Sequence, residues 1–206
     1  MSIRQGTQEW IEARLGYITG SQFETVMQNP GTRGAHWSQA AWTYLYQLLG
    51  EHLSQQPGDT FNNRATDWGN THEPEARARY VFLNEDIAEM GFVSHPSEQW
   101  IGCSPDGGSI DGKGLIEIKS PYTTKEHIRT MSTGKVPAQY VPQVQGQLWI
   151  TQREWCDFVS YDPRMKNEEH KMFVIRCPRD EEYIGNLSDR VIKFRDLMLT
   201  KLREMK

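Results

Sequence analysis

The sequence is poor in the residues that build disulfide frameworks and zinc sites. Its three cysteines, Cys103, Cys156 and Cys177, are odd in number and widely spaced, which fits a reducing compartment. The six histidines show no metal-ligand spacing such as His-Glu-x-x-His. We therefore expect neither a disulfide-stabilised scaffold nor a zinc centre, and we expect a cytoplasmic protein.

Long apolar runs and an excess of positive charge are also missing. No apolar stretch approaches the ~20 residues that a membrane span requires, and the N-terminus has no signal-peptide pattern. The net charge of −4 argues against a protein coated in positive charge for nucleic acid, but it leaves room for a localised basic groove. The sequence therefore predicts no membrane partner.

The residues that are abundant are those that fill a core. The 206 residues are 37% hydrophobic and 11% aromatic, and seven tryptophans are too many for a disordered chain. The chain has no internal repeats, low-complexity tracts or long linkers. We therefore predict one globular domain over residues 1–206, with a sizeable core.

Functional residue types are densest in residues 101–119. This segment predicts a strand, a glycine-rich turn and a second strand, because residues 115–119 alternate with period two. Asp106 lies where the first strand breaks into the turn. A near-match to a phosphate-binding P-loop at residues 107–114 fails, because Gly114 replaces the required Ser or Thr and a strand follows. The segment is therefore a hairpin and not an ATP site.

The second predicted strand places two charged side chains on one face. Glu117 and Lys119 point one way, whereas Ile116 and Ile118 point the other way, toward a core. If the two strands pair, Asp106 meets Glu117, and two carboxylates beside an ammonium suit a divalent cation with oxygen ligands. The alternative interpretation is a surface hairpin with a Pro-Asp-Gly turn and an exposed Glu/Lys pair.

This spacing is similar to the Pro-Asp…Glu-x-Lys arrangement of the metal-dependent nuclease superfamily that includes restriction endonucleases. The resemblance implies that Asp106 and Glu117 hold Mg²⁺ and that Lys119 orients, or helps to deprotonate, the attacking water. It also implies the fold class, an α/β (α+β) protein with a central mixed β-sheet flanked by helices.

Helical periodicity and capping residues predict most of the remaining elements. We expect a helix that starts near Trp68, with Thr71 as its cap and Pro74 in its first turn, and a connection at residues 50–66. Further helices are predicted at residues 8–15, 22–27, 38–49, 124–131, 139–151 and 184–202, and strands at 155–161 and 172–177.

Ser21-x-x-Glu24 has the sequence of a capping box, in which Ser21 caps a short helix and Glu24 reaches back. A helix N-terminus also receives phosphate, and Arg14, across the Gly16 turn, would supply a bidentate partner. Considered without any family resemblance, these residues favour the capping role over the phosphate site.

Four other polar residues leave alternatives open. Glu73 either complements the dipole of its helix or adds a carboxylate to the metal site if this turn abuts the hairpin. Gln143 and Gln147 are four residues apart and share a helix face, which is either solvent surface or the wall of the site. Arg33 lies in a predicted loop and is a candidate DNA contact.

Six stretches together resemble one family, the phage lambda exonuclease-like alkaline nucleases. They occur in the family's order and spread over most of the chain, at residues 14–21, 68–73, 104–107, 115–119, 143–145 and 161–166. The resemblance implies that the metal ligands are the carboxylates of Glu73, Asp106 and Glu117 together with the backbone carbonyl of Ile118.

The same resemblance implies the remaining roles in the site. Lys119 matches the catalytic lysine, and Gln143 matches a glutamine that supports Asp106 and Glu117 in catalysis. Arg14 and Ser21 match the family's binding site for the 5′-terminal phosphate, which reverses the preference for a cap.

The family implies Mg²⁺-dependent 5′→3′ digestion of one strand of linear double-stranded DNA to mononucleotides. The 3′ single-stranded overhang would serve phage-type recombination by single-strand annealing, in the cytoplasm of a bacterial host cell. The resemblance also implies two metal ions per site, with Mn²⁺ as a substitute, substrate ends that carry a 5′-phosphate, a homotrimeric ring and a single-strand annealing protein as partner.

The sequence departs from the lambda enzyme in places. The turn between Asp106 and Glu117 is one residue longer, the N-terminal segment is shorter, and residues 29–36 and 50–66 match poorly, so no strand-separating wedge is assigned. Two alternatives stay open, namely an endonuclease of the same superfamily and a non-catalytic DNA-binding or annealing protein.

Overall fold

The computed structural model describes residues 3–31, 35–58, 64–84 and 86–205. Its α-helices are α1 (Gln8–Ala13), α2 (Phe23–Met27), α3 (Gln39–Ser54), α4 (Arg64–Leu83), α5 (Thr124–Thr133), α6 (Val141–Thr151) and α7 (Glu181–Glu204). Its strands are β1 (Ile18–Thr19), β2 (Ile87–Ala88), β3 (Val93–Ser94), β4 (Ile101–Cys103), β5 (Gly107–Ser109), β6 (Gly114–Lys119), β7 (Trp155–Tyr161) and β8 (Met172–Pro178).

The strands form two sheets. The larger sheet has the order β2-β5-β6-β7-β8, in which β6 and β7 are parallel and the other pairs are antiparallel. The smaller sheet has the order β1-β4-β3. The predicted fold class, a mixed sheet with helices around it, is therefore confirmed, and β6 occupies the middle of the large sheet.

Each face of the large sheet packs against a different set of helices. One face carries Ile116 and Ile118, which are buried with Tyr80 of α4, as the period-two pattern predicts. The other face carries Leu115 and joins the main core beneath α2, α3, α6 and α7. The predicted apolar stripes of two helices are buried there, Ala41, Tyr44, Leu45 and Leu48 on α3 and Ile184, Leu187, Val191, Phe194 and Met198 on α7.

The predicted hairpin differs from the structure in its first strand. Residues 101–103 form β4 in the small sheet, and the strand that pairs with β6 is β5, which lies in the predicted turn. A Cβ atom on Gly108 would lie 2.4 Å from Arg153 Nη1 and 2.8 Å from Met90 Sδ, so a side chain there would require the ends of both side chains to move. The glycines here serve close packing within a strand as well as a turn.

Several predicted helix boundaries are also wrong. Helix α3 continues to Ser54, so the expected connection at residues 50–66 begins later. Helix α4 includes residue 64 onward, which places Thr71 and Pro74 inside it, and the Thr71 hydroxyl donates to the Asp67 carbonyl at 2.7 Å instead of capping the helix.

The predicted capping box is not formed. Ser21 lies in a short 3₁₀ turn, and its hydroxyl is 3.3 Å from the hydroxyl of Thr19. The carboxylate of Glu24 accepts hydrogen bonds from Gln28 at 3.0 and 3.1 Å. Arg33 lies outside the described residues.

All three cysteines are free thiols, in agreement with the sequence. Within the described ranges, every helix is too short or too polar to traverse a lipid bilayer.

Candidate active site

Glu117 is held by three side chains at the centre of the large sheet. Only 1% of its surface is exposed. Its Oε1 accepts a hydrogen bond from Gln143 Nε2 at 2.5 Å and lies 2.6 Å from Lys119 Nζ. Its Oε2 accepts from Gln147 Nε2 at 2.6 Å. Because the glutamines lie one turn apart on α6, both face Glu117, and the solvent-surface alternative for this pair is wrong.

Asp106 reaches the same place from the connection between β4 and β5. Its backbone N–H donates to the Ile116 carbonyl at 3.1 Å, and its Oδ2 accepts from the Ile118 N–H at 2.6 Å. Pairing between β5 and β6 ends at Ile116, so the Ile118 carbonyl lies past that pairing, on the edge of β6 that faces Asp106. Burial and the nearby charge of Glu117 raise the pKa of Asp106 well above its ordinary value.

Lys119 is an ammonium in this environment. Burial alone would lower its pKa, but the charges of Glu117 and Asp106 outweigh burial and raise the pKa above its ordinary value. The Nζ atom also lies 5.3 Å from the ring centre of Tyr140, within cation–π range. Its position beside both carboxylates suits the lysine to orient water or phosphate as a cation.

Glu73 lies on α4 beside the hairpin, but its carboxylate points toward the guanidinium of Arg77. Its Oε1 lies 2.9 Å from Nη2 of Arg77, one turn later on the helix. Nη1 of the same arginine donates to the backbone carbonyl of Asp106. Arg77 thus ties the helix that carries Glu73 to the loop that carries Asp106, and the charge of Glu73 contributes to the raised pKa of Asp106.

The predicted metal ligands have the right chemistry for a hard divalent cation. Carboxylate and carbonyl oxygens are the donors that Mg²⁺ prefers, and the charges of Glu117 and Glu73 add to burial in raising the pKa of Asp106. Among the described residues, however, no three His, Cys, Asp or Glu side chains converge on a single point that would surround an ion. Glu73 would have to turn from Arg77 to join Asp106 and Glu117.

Two cavities meet at Glu73 and Asn70. The larger, about 800 Å³, extends to Asp106, and the smaller, about 390 Å³, extends to Lys119 and Ser120. The Ser120 hydroxyl is buried and has no hydrogen-bond partner within the described part of the chain. Asp106, Ile118 and Lys119 therefore line two adjoining cavities, whereas Glu117 and Gln143 lie behind them and line neither.

Arg14 and Ser21 line a third cavity of about 230 Å³. The Arg14 guanidinium carbon lies 4.0 Å from the ring centre of Trp10, and in the described residues its nitrogens have no hydrogen-bond or ion-pair partner. Burial lowers the pKa of Arg14, because the charge is only partly solvated. Glu51 also lines this cavity, but its Oε2 accepts from the Gly16 N–H at 2.9 Å. The charge of Glu51 acts on Arg14, but among the described residues no carboxylate forms an ion pair with it, and such a half-buried arginine is suited to bind an anion.

Three residues near the site were not identified from the sequence. Trp10 lines both the Arg14 cavity and the Asp106 cavity, and its indole N–H donates to the Ser104 hydroxyl at 3.0 Å. Trp10 precedes Arg14 by four residues, and Arg77 follows Glu73 by four, so helical spacing indicates both contacts. Ser104 carries no comparable signal, because its contact depends on how α1 packs.

Comparison with known proteins gives a family match over most of the chain. The family model of the YqaJ-like viral recombinase domain matches residues 9–154. The uncharacterised protein R354 of Acanthamoeba polyphaga mimivirus is 30% identical over 111 residues, which span 48% of this chain and 20% of that protein. The putative protein ExoD of Escherichia coli K12 is 34% identical over 70 residues, which span 34% of this chain and 78% of that protein.

Solved structures of nucleases share the fold. The alkaline exonuclease LHK-Exo of Laribacter hongkongensis is 35% identical with a TM-score of 0.86, and the match covers 97% of this chain and 96% of that one. The same enzyme with dAMP gives 36% identity and the same TM-score of 0.86. A phage-related exonuclease of Haemophilus somnus, at 15% identity and a TM-score of 0.64, agrees in fold alone. These matches confirm the resemblance carried by the six sequence stretches.

Proposed function

From the premise that the chain belongs to the YqaJ-like viral recombinase domain family, we propose that it is a Mg²⁺-dependent exonuclease that acts on linear double-stranded DNA in recombination. The observation that carries the proposal is the convergence of Asp106, Glu117 and Lys119 with two glutamines beside an open cleft. The 35% identity to a solved alkaline exonuclease over 97% of the chain supports the same reaction class.

The side chains of the site would have different roles in phosphodiester hydrolysis. Asp106, Glu117, a reoriented Glu73 and the Ile118 carbonyl would hold the metal, and we propose two Mg²⁺ ions, with Mn²⁺ as a substitute. Bound there, the ions would supply Lewis-acid chemistry to the phosphodiester: polarisation of the phosphate, a nucleophilic water and charge compensation for the leaving 3′ oxygen. Lys119 offsets negative charge that develops on the phosphate, since its ammonium lies beside the carboxylates.

The two glutamines on α6 fix the carboxylate that the metal needs. Gln143 holds one oxygen of Glu117 and Gln147 holds the other, so the carboxylate keeps one orientation. Preorganised ligands lose little entropy when the metal and the substrate bind. We assign Gln143 to the supporting role that the family implies.

We propose that Arg14 and Ser21 bind the 5′-terminal phosphate. Arg14 is half-buried and forms no ion pair in the described ranges, and Ser21 lines the same cavity. Trp10 forms a wall of this cavity and of the Asp106 cavity, so the terminal phosphate and the next phosphodiester can occupy the two together. This order favours 5′→3′ digestion to mononucleotides, which leaves a 3′ overhang for an annealing protein.

We propose a homotrimeric ring around the DNA, with each copy a single domain over residues 1–206. A chain with net charge −4 holds duplex DNA poorly through one face, because affinity comes mainly from phosphate neutralisation. Cyclic symmetry brings basic residues from each copy to one channel through a repeated interface. Light scattering at the working concentration should give the trimer mass, and a stable, active monomer would contradict the ring.

The activity test is digestion of end-labelled linear duplex, with and without Mg²⁺. We expect release of labelled mononucleotides from 5′ ends in Mg²⁺ and none in excess EDTA. Cleavage of covalently closed circular DNA would indicate an endonuclease instead. DNA binding without metal-dependent nucleotide release would indicate a non-catalytic annealing protein.

A further inference from the structure

Residues 161–166, at the end of β7, are one of the six stretches that resemble the lambda exonuclease-like nucleases; they lie past the family match at residues 9–154 and have no part in the chemistry above. It carries Asp162, which is completely buried, and Arg164. Arg164 donates from Nε to Oδ1 of Asp162 at 2.7 Å and from Nη2 to Oδ2 at 2.9 Å. A bidentate pair of this kind fixes the plane and the direction of the guanidinium.

The fixed guanidinium also holds the chain that leaves β6. Arg164 Nη1 donates to the carbonyl of Tyr122 at 2.9 Å, and Nη2 donates to the carbonyl of Pro121 at 3.1 Å. These carbonyls belong to the second and third residues after Lys119. The arginine therefore anchors the exit of the strand that carries Glu117 and Lys119.

The flat face of Arg164 contacts α4. Its guanidinium carbon lies 4.4 Å from the ring centre of Trp68, and this ring also meets Tyr122 edge to face at 6.3 Å. Trp68 precedes Glu73 by five residues on α4. One side chain thus joins the end of β7, the exit of β6 and the helix that carries Glu73.

The part of α4 before Pro74 needs such an anchor. Proline has no N–H to donate to the carbonyl of Asn70, so it interrupts the hydrogen bonding that couples the two halves of the helix. The later half is fixed to the sheet by Ala76, which is fully buried, and by Tyr80, whose hydroxyl donates to Asp157 at 2.7 Å. Glu73 precedes the proline, and its ion pair with Arg77 joins it to the later half.

We propose that Arg164 is a positioning residue that holds Glu73 at the working distance from the Ile118–Lys119 end of β6. The proposal rests on the proposed metal-dependent nuclease site. Arg164 touches neither the metal nor the substrate, and it acts by clamping Trp68 of α4 against Pro121 and Tyr122. A lysine at position 164 would keep the charge but lose the flat, forked contact.

The alternative is that Arg164 only stabilises the fold, and a second pair in the chain serves as a matched control. Arg176 makes a bidentate contact with Asp157 at 2.9 and 2.9 Å, Asp157 is 3% exposed, and the guanidinium lies 3.6 Å from the ring centre of Trp155. Trp155 is at the end of β7 remote from Ser160, the register partner of Lys119. The two pairs share chemistry, but Asp157 contacts Tyr80 in the half of α4 after Pro74, whereas Arg164 contacts Trp68 in the half that carries Glu73.

The test compares R164A, R164K and R176A with the wild type. Three quantities are measured: kcat and KM on end-labelled linear duplex, Mn²⁺ affinity by calorimetry without DNA, and the midpoint of thermal unfolding. We expect R164A and R164K to lose about 10- to 100-fold in kcat and to bind Mn²⁺ more weakly, with KM changed less than about threefold. R176A should show a similar fall in thermal midpoint and keep its kcat and Mn²⁺ affinity.

Two results would overturn the proposal: a wild-type kcat in R164K, or an equal loss of kcat in R176A. If R164A lacks a cooperative unfolding transition, R164K decides the question. If the wild type itself releases no nucleotides, the proposed function fails separately. The Mn²⁺ affinities then decide the proposal, and equal affinities in R164K and R176A would overturn it.

Discussion

Gln147 donates a hydrogen bond to Oε2 of Glu117 at 2.6 Å, from a helix that lies beneath the large sheet. With Gln143 and Lys119 on Oε1, this contact leaves the carboxylate little freedom to rotate. A carboxylate that is almost fully buried needs such partners. Burial of a neutral polar group without a hydrogen bond costs roughly 2–7 kcal/mol, and burial of an unpaired charge costs more. The same contacts that make burial possible therefore set the direction of the carboxylate that we propose as a metal ligand.

Removal of the Gln147 amide should reduce activity more than stability. In Q147A we expect kcat to fall about tenfold, because Glu117 gains freedom to rotate away from the metal. Gln145 is the matched control, since it lies on the same helix, is 7% exposed, and bonds to Pro178 and Asp180 instead. Q145A should lose about 1–2 kcal/mol of unfolding free energy, as Q147A does, and retain activity. Equal activity losses in the two variants would contradict this role.

Substitutions at Glu117 should separate charge from shape. E117A leaves Lys119 and two amides without their acceptor, so we expect no cleavage and a loss of about 3 kcal/mol in unfolding free energy. E117Q should also be inactive, but it should lose less stability because its carbonyl still accepts one hydrogen bond. Urea unfolding and end-label release measure the two effects. Measurable cleavage by E117Q would remove Glu117 from the metal site.

Arg14 should control discrimination between substrate ends. A charge-assisted contact contributes about 1.5–3 kcal/mol, so wild-type enzyme should digest 5′-phosphorylated ends about 10- to 100-fold faster than 5′-hydroxyl ends. R14A should remove most of that ratio, and R14K should restore part of it. Arg190 is a suitable control, because it also stacks on a tryptophan, at 4.7 Å from Trp37, but donates to backbone carbonyls. An R190A variant with the same loss of end preference would contradict a specific phosphate site.

Gly146 should be sensitive to a single added methyl group. A Cβ atom there would lie 2.2 Å from Cδ2 of Phe23, so α6 packs on α2 at a distance that only glycine permits. We expect G146A to lose about 1–3 kcal/mol of unfolding free energy. A Cβ atom added at Gly185 on α7 would meet nothing within 4 Å beyond its own helix, so G185A should gain up to about 1 kcal/mol. Denaturant unfolding of both variants checks the pair, and a stable G146A would contradict the packing.

Patterns with a short period predicted the elements that short-range geometry determines. The alternation in β6 correctly separates Glu117 and Lys119 from Ile116 and Ile118, and the apolar stripe of α7 is buried as expected. The i,i+4 spacing of Gln143 and Gln147 likewise indicated one shared face. In each case the property follows from the repeat of a helix or a strand.

The predictions of features that depend on long-range packing were wrong, or no prediction was made. The local sequence predicted a turn at the glycines before Ile110. These glycines pair with β6, and no nearby residue indicates that pairing. The polar residues before Trp68 did not indicate a helix, although α4 already runs through them. The contact of Trp10 with Ser104 joins residues 94 positions apart, and no periodicity predicts such a pair.

Because of Pro74, the free energy of local opening should differ between the two parts of the site, β6 and the segment of α4 that carries Glu73. Glu117 lies on β6, which pairs with β7 along its whole length and with β5 as far as Ile116, so its amides should be among the last to exchange with deuterium. Glu73 lies next to an interruption in α4, where the Asn70 carbonyl receives no bond from the proline and opening requires less free energy. In mild denaturant, nuclease activity should therefore disappear while the sheet is still protected, so that inactivation precedes global unfolding.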